Sequence, residues 1–148
     1  MREYYLFHIK QDIYDLHKND GYMLYQTLEN IYKLQKKNLN YGFSLYKQLC
    51  IPFNLEILKD YFNKKYDGHI KKNGNSFKIV NNYICEETLV KLNLSRIYIK
   101  SNINLPRILK VFEFYNQKIF VCDFKNRDFF WLSRQYNKKL NSKSKRNF

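Results

Sequence analysis

The sequence predicts a mixed α/β domain built on a single β-sheet, with helices clustered after the first strand and before the last hairpin. Three observations lead to this fold class. Short runs of aromatic and β-branched residues occur at both ends and in the middle of the chain. Segments in which apolar residues recur with helical spacing lie between these runs. Hydrophobic residues are 45% of the 148, which is ample apolar surface for one core.

The chain opens with a predicted strand that is followed by a broken helical arm. Residues 3–9 are dense in aromatic and β-branched side chains, and polar residues follow at once. A helical pattern over 11–18 is interrupted at Asp20-Gly21, where Asp20 can cap a second helix. That helix has an apolar face and basic residues near its negative end, formed by Leu24, Leu28 and Ile31 and by Lys36 and Lys37.

Two further helices are predicted before the middle of the chain. The first lies between Asn40 and Cys50 and must end before Pro52, because the residue preceding proline avoids the helical region. Asn54 caps the second, and Asp67-Gly68 ends it. Their apolar faces consist of Leu45, Tyr46 and Leu49 in the first and of Leu55, Leu58, Tyr61 and Phe62 in the second.

The middle of the chain changes to a β pattern. Asn73-Gly74 separates two strand-like runs and favours a type I′ hairpin turn, because both residues tolerate positive φ. Asn81-Asn82 then predicts another turn into a short strand at 83–85. Residues 96–100 alternate between apolar and polar as a half-buried strand does.

A helix and a second hairpin complete the predicted fold. Pro106 lies near the first position of the helix, whose buried face is Ile108, Leu109, Phe112 and Tyr115. Residues 119–124 and 129–132 are predicted to form two strands that are joined by the polar turn 125–128.

The charge is strongly basic, at +14 from 27 Lys and Arg against 13 Asp and Glu. Such an excess is the electrostatic signature of nucleic-acid binding. However, 21 of the 27 are Lys, which lacks the bidentate fork of Arg. Lys and the 18 Asn also share A/T-rich codons, so composition bias accounts for part of the charge. A small basic nucleic-acid-binding module, with the aromatic residues 129–131 as a base-stacking surface, is therefore the alternative function.

The basic residues are concentrated toward the C-terminus. Residues 75–148 hold 15 basic and 5 acidic side chains, a net of +10, against +4 for residues 1–74. The last twelve residues hold five basic side chains and no acidic one. We therefore expect one domain over 1–136 and a basic, flexible tail over 137–148.

The residues that usually carry catalysis or bind cofactors are few and scattered. The three cysteines contain no C-x-x-C pair, the three histidines form no ligand-spaced cluster, and four glycines form no phosphate loop. No segment approaches the ~20 apolar residues of a membrane helix. We therefore predict a cytoplasmic protein that is not an enzyme, with no cofactor, no metal, no membrane association and no small-molecule substrate. The residues in question are Cys50, Cys85 and Cys122, and His8, His17 and His69.

The last two predicted strands contain residue types that are also found in catalytic sites. Cys122 beside Asp123 has the composition of a nucleophile with an acid, but a free cysteine in an apolar strand is usually a small hydrophobic residue. Asp123 and Asp128 flank a turn, which explains them without acid/base chemistry. Phe130 should face away from Phe129 and Trp131, so part of this aromatic set is predicted to be core.

Four segments of the chain match one known family in order and approximate spacing, namely residues 4–10, the isoleucine-proline at 51–52, residues 123–132 and the terminal 146–148. In these segments the chain resembles the sporulation inhibitor of replication family, SirA. The resemblance spans most of the length, although none of these segments is a catalytic signature. One departure is Phe130, which stands where the family usually has glycine before the tryptophan.

The resemblance implies a small cytoplasmic protein made as endospore-forming bacteria enter sporulation. Such a protein binds the N-terminal domain of the replication initiator DnaA and prevents new rounds of initiation, without needing nucleic acid. The family's contact surface includes side chains just after the first strand, and the matching positions here are Ile13 and His17, with Tyr14 beside them. Ile13 and His17 share a helix face. The residues alone favour packing of all three against the sheet, whereas the resemblance favours an outward patch with Leu16 buried instead.

Overall fold

The computed structural model describes residues 1–34, 39–66 and 70–133. Within these ranges the chain forms a mixed α/β fold with five helices and one seven-stranded antiparallel sheet, which confirms the predicted fold class. The elements, in chain order, are β1 (Arg2–His8), α1 (Gln11–His17), α2 (Tyr22–Leu34), α3 (Leu39–Leu49), α4 (Leu55–Lys65), β2 (Ile70–Asn73), β3 (Ser76–Asn81), β4 (Glu86–Leu92), β5 (Ile97–Ser101), α5 (Ile108–Glu113), β6 (Ile119–Asp123) and β7 (Asp128–Trp131).

The sheet has the strand order β2-β3-β4-β5-β1-β6-β7. The first strand of the chain therefore lies inside the sheet, with β5 on one side and β6 on the other. Its side chains alternate between the two faces, and Tyr4, Tyr5, Leu6 and Phe7 are all buried. A strand that is apolar on both faces requires cover on both, and helices provide that cover.

One face of the sheet is covered by α4 and α5, and we call the side chains buried there the first core. Leu58 and Phe62 of α4 and Phe112 of α5 are fully buried in it. They pack against inward side chains of all seven strands, including Phe77 and Ile99, and Ile70 of β2 is half-buried at the edge of this core. Asn54 caps α4 as predicted, since its side chain accepts a hydrogen bond from the Ile57 backbone N–H at 3.2 Å.

The opposite face is covered by α1, α2 and α3 only near β1, β6 and β7, and we call this the second core. Leu24, Leu28 and Tyr46 are buried in it beneath the helices. The chain turns closely onto the sheet at Gly21, where an added Cβ would lie 2.8 Å from Cε1 of the buried Phe120. No helix of the described residues is long and apolar enough to cross a membrane.

The predicted apolar faces of α2 to α5 are confirmed where the structure describes them. Each predicted apolar position on α2 to α5 is buried or half-buried, because the helical period in the sequence matches the side that meets the sheet. Some predictions fall outside the described residues. These are Lys36, Lys37, Asp67-Gly68 and the tail 137–148.

The central hairpin is confirmed, but its turn lies one residue later than predicted. Asn73 pairs with Ser76, so Gly74 and Asn75 are the two central residues of the turn. Of these two only Gly74 has positive φ, at 62°, so the turn is not type I′ and has the pattern of type II′. The register determines which residues form the turn. Pairing of Ile70 with Ile79 directs the apolar side chains of both strands toward the first core, and this pairing leaves Gly74 and Asn75 in the turn.

The predicted strand at 83–85 is wrong. Residues 82–85 form a turn in which Tyr83 is fully exposed and Cys85 has φ 53°. The strand is instead β4, which begins one residue later and alternates regularly between buried and exposed positions. Its first inward residue, Glu86, is charged and only 4% exposed, so the start of the strand lacks the apolar alternation that predicts one.

Candidate partner-binding surface on the first helix

Three of the segments that resemble the SirA family are adjacent in the structure. Residues 4–10 contain most of β1, which pairs with β6, and β6 leads into the closing hairpin. The isoleucine-proline segment joins them, because the Ile51 backbone N–H donates to the His8 carbonyl at 2.8 Å. The terminal 146–148 lies outside the described residues. Segments distant in sequence therefore surround the point where β1 leads into α1.

A partly buried ion pair ties β1 to the closing hairpin. Arg2 Nη1 donates to Asp123 Oδ2 at 2.8 Å, and Asp123 is 1% exposed. The hydrogen bond to Asp123 is the main reason that the pKa of Arg2 is raised. Asn126 donates to the same carboxylate from its backbone N–H at 3.2 Å and from Nδ2 at 2.8 Å. The carboxylate is occupied in holding the turn, while Asp128 is exposed and accepts from the Phe129 backbone N–H.

The helix α1 is anchored at both ends. At its start, the Lys10 backbone N–H donates to the Leu49 carbonyl at 2.9 Å. At its end, the buried Trp131 of β7 donates from Nε1 to the His17 carbonyl at 3.1 Å. The Tyr14 ring meets the Trp131 ring edge to face, with centroids 4.9 Å apart. A helix of seven residues that is marginal alone is therefore fixed by tertiary contacts.

The three predicted site residues lie together on α1, but their orientation differs from the prediction. Ile13 and Tyr14 are half-buried and pack against the second core, and His17 is half-buried. Leu16, expected to be buried, is 75% exposed. The reason is helical phase: Tyr14 faces Trp131, and Leu16, two residues later, lies about 200° around the helix. Nothing in the helix sequence alone shows which side meets Trp131.

We call Ile13, Leu16 and His17 the α1 patch. Ile13 is three residues before Leu16 and four before His17, so the three side chains are neighbours on the helix surface. The other exposed side of α1 is acidic, because Asp12 and Asp15 are exposed there. Gln11 donates to Asp15 at 3.0 Å, and Asp12 lies in the first turn, where a negative charge favours the helix dipole. The patch is thus a small apolar surface with an acidic border, in a chain that is otherwise basic.

The aromatic residues of the closing strand are not an exposed stacking surface. Phe129 and Trp131 face the second core and Phe130 the first, which confirms the predicted alternation. Trp131 and Phe130 are buried, and the Phe129 ring stacks on the Tyr25 ring at a centroid distance of 5.0 Å. These side chains support the fold.

The cysteines show where thiol chemistry is possible. Cys122 is fully buried in the second core, as predicted, and burial raises its pKa well above the usual value. Burial also raises the pKa of Cys50 to about 12, whereas Cys85 lies exposed in the turn before β4. Within the described residues, no group of three or more His, Cys, Asp or Glu side chains is placed to hold a metal ion.

The cysteines should therefore differ in reaction with a disulfide reagent such as DTNB. The thiolate is the nucleophile, so we expect Cys85 alone to react in the native protein and all three cysteines to react in denaturant. Absorbance of the released thiolate counts them. Cys85→Ser is the control and should abolish the native reaction. A native count of two or three would contradict the burial of Cys50 and Cys122.

A comparison with models of known protein families finds none that matches the chain. A comparison with curated proteins likewise finds no match. Membership of the SirA family therefore stays a prediction that is based on the residues quoted above.

Proposed function

We propose that the chain is a binding protein that inhibits initiation of chromosome replication during sporulation by docking on the N-terminal domain of the initiator DnaA. One observation carries the proposal. The segments that resemble the SirA family converge on the anchors of α1, and α1 holds Ile13 and His17, the positions that match the family's contact surface. The proposed action is occupation of a protein surface.

The geometry of α1 suits a docking surface. The helix is held at both ends before any partner arrives, so little conformational entropy is lost on binding. Leu16 projects as an exposed apolar side chain beside the half-buried Ile13. A stable contact buries about 800 Å² on each partner, so the α1 patch would be the centre of a larger interface. Asp12 and Asp15 at its border favour a partner surface that is basic around an apolar centre.

The proposal is tested by calorimetry with the isolated N-terminal domain of the host's own initiator. We expect a Kd at or below about 1 μM, as is usual for a regulatory contact of this kind. The full chain is used, so that the tail can contribute. No binding heat at concentrations about a hundredfold higher would overturn the proposed function.

Substitutions in the α1 patch should weaken this binding without unfolding the protein. We expect His17→Glu and Leu16→Glu each to raise the Kd about tenfold or more, because a charge is placed in the apolar centre of the contact. Leu94→Glu is the matched control, since Leu94 is also exposed, at 61%, but lies outside α1. Far-UV circular dichroism checks folding. Equal affinity of all three variants would remove α1 from the interface.

A further inference from the structure

The face of β2 to β5 opposite the first core carries a row of lysines. Strand register places Lys71 opposite Lys78, and Leu89 lies between Lys78 and Lys100 in the same row. Lys91, two residues along β4 from Leu89, shares this face, and its Nζ lies 5.9 Å from the centre of the Tyr98 ring. Adjacent strands are about 4.8 Å apart, so the row from β2 to β5 extends over about 14 Å. We call these four lysines the lysine row.

This face is open and positively charged. The second core includes no side chain of β2, β3 or β4, so no described helix covers these strands on this side. None of the four lysines forms a salt bridge with a described residue. The acidic residues nearest by register are Glu87, which is paired with Val80, and Glu3, which lies opposite Lys100. Lysines therefore outnumber carboxylates two to one, a balance that suits a polyanion.

The lysine row leads directly to an aromatic cleft. Glu3, opposite Lys100, lines a cavity of about 440 Å³. The Tyr32 and Phe124 rings stack in its wall with centroids 4.7 Å apart, and Tyr5 completes that wall. The Arg96 guanidinium lies 5.1 Å from the centre of the Tyr5 ring. The other charged side chains at the cleft are Glu29, Lys33, Lys125 and Arg127. Aromatic walls with carboxylates and cations at hand can stack a nucleobase and hydrogen-bond its edge.

We propose that this face binds single-stranded nucleic acid, with phosphates on the lysine row and one base in the aromatic cleft. Lysines spread over about 14 Å can contact successive phosphates of one strand. A base can enter the cleft only when it is unpaired, which favours a single strand over a duplex. This inference goes beyond the proposed function and does not rest on it, since it uses neither α1 nor the initiator.

The first test measures how binding depends on salt. Fluorescence anisotropy with a labelled single-stranded DNA of about 12 nucleotides is followed over a series of salt concentrations with the full chain. We expect the slope of log affinity against log salt to become about 1.4 less steep in Lys78→Gln/Lys100→Gln, because each lost phosphate contact removes about 0.7. The matched control, Lys65→Gln/Lys110→Gln, removes the same charge from exposed lysines of α4 and α5. The basic tail is present in every variant.

The second test addresses the cleft. Tyr32→Ala should lower the affinity for the single strand about tenfold, whereas Tyr32→Phe should keep it, since the ring remains for stacking. Circular dichroism confirms that both variants fold. The proposal is overturned if the two lysine pairs change the slope equally, if a duplex binds as tightly as the single strand, or if Tyr32→Ala binds normally. Displacement of the DNA by polyglutamate at equal charge would instead identify an acidic protein as the partner, and would also overturn it.

Discussion

Trp131→Ala should destabilise the protein by about 3 to 5 kcal/mol, the cost typical of removing a large aromatic side chain from a core. Trp131 is 6% exposed and contacts two rings, Tyr14 and Phe120, both edge to face at centroid distances below 5 Å. The substitution also removes the donor to the His17 carbonyl. Small domains are stable by only about 5 to 15 kcal/mol, so the loss is a large fraction of the total.

The conservative variant separates packing from hydrogen bonding. Trp131→Phe keeps a ring against Tyr14 but loses the N–H, and we expect a cost of about 1 kcal/mol from the hydrogen bond alone. Under the proposed function it should also weaken initiator binding, because the last turn of α1 is released. Urea denaturation is followed by far-UV circular dichroism, because Trp131 is the only tryptophan and its fluorescence is lost.

A surface aromatic provides the control for the tryptophan variants. Phe114 is 72% exposed, and Phe114→Ala should change the free energy of unfolding by no more than about 0.5 kcal/mol. A loss below about 1 kcal/mol for Trp131→Ala would contradict the anchoring role, since neither the rings nor the hydrogen bond would then matter.

The position of Trp131 also shows what could be predicted from the sequence. Periodicity located β1, β5 to β7 and every helix, because strands and helices that bury one side repeat that side in the sequence. The exposed position of Leu16 did not follow, because α1 has apolar residues on adjoining sides and only contact with a strand more than 100 residues later selects between them. The resemblance pointed to α1, but the orientation it favoured, with Leu16 buried, is wrong because Leu16 is exposed.

The lysine row, like the exposed position of Leu16, depends on contacts between elements that are distant in sequence. In β3 the buried Phe77 and Ile79 alternate with exposed positions, so Lys78 lies on the outward side of that strand. The alignment of the lysines into one row depends on the pairing of four strands, and β4 was not recognised. The aromatic cleft combines residues of β1, α2 and the turn before β7, and no local pattern connects them. A site that is assembled from several elements can be predicted only when the order of the strands in the sheet is known as well as their positions in the sequence.

The second prediction with a large expected effect concerns β4, the strand that the sequence pattern did not predict. Glu86 and Thr88 point inward from β4, and Thr88 Oγ1 lies 2.7 Å from Glu86 Oε2 and 2.8 Å from Ser101 Oγ. Thr88 has one hydroxyl hydrogen, so it donates to the carboxylate and accepts from Ser101. The Ser101 oxygen accepts in turn from the Ile103 backbone N–H at 3.1 Å. A chain of hydrogen bonds thus runs from the backbone to a buried carboxylate.

Thr88→Val should cost about 2 to 3 kcal/mol, because the valine has the same shape but leaves the Glu86 carboxylate and the Ser101 hydroxyl without their partner. The direction of the change in stability shows whether the hydrogen bond or the strand preference of valine dominates. Valine has a strong preference for buried strand positions, so without an important hydrogen bond the variant would be as stable as the parent or more stable. Chemical denaturation measures the difference.

A double variant distinguishes the lost hydrogen bond from altered packing. Replacing both partners by apolar side chains leaves no unpaired charge, so Thr88→Val/Glu86→Leu should recover much of the stability that Thr88→Val loses. Because Glu86 also lines a cavity beside α4 and α5, the leucine has space without overpacking the first core. If the double variant is less stable than Thr88→Val by the full cost of a second substitution, the two side chains act independently. Recovery would mean that the charge at Glu86 is tolerated in β4 only because Thr88 donates to it.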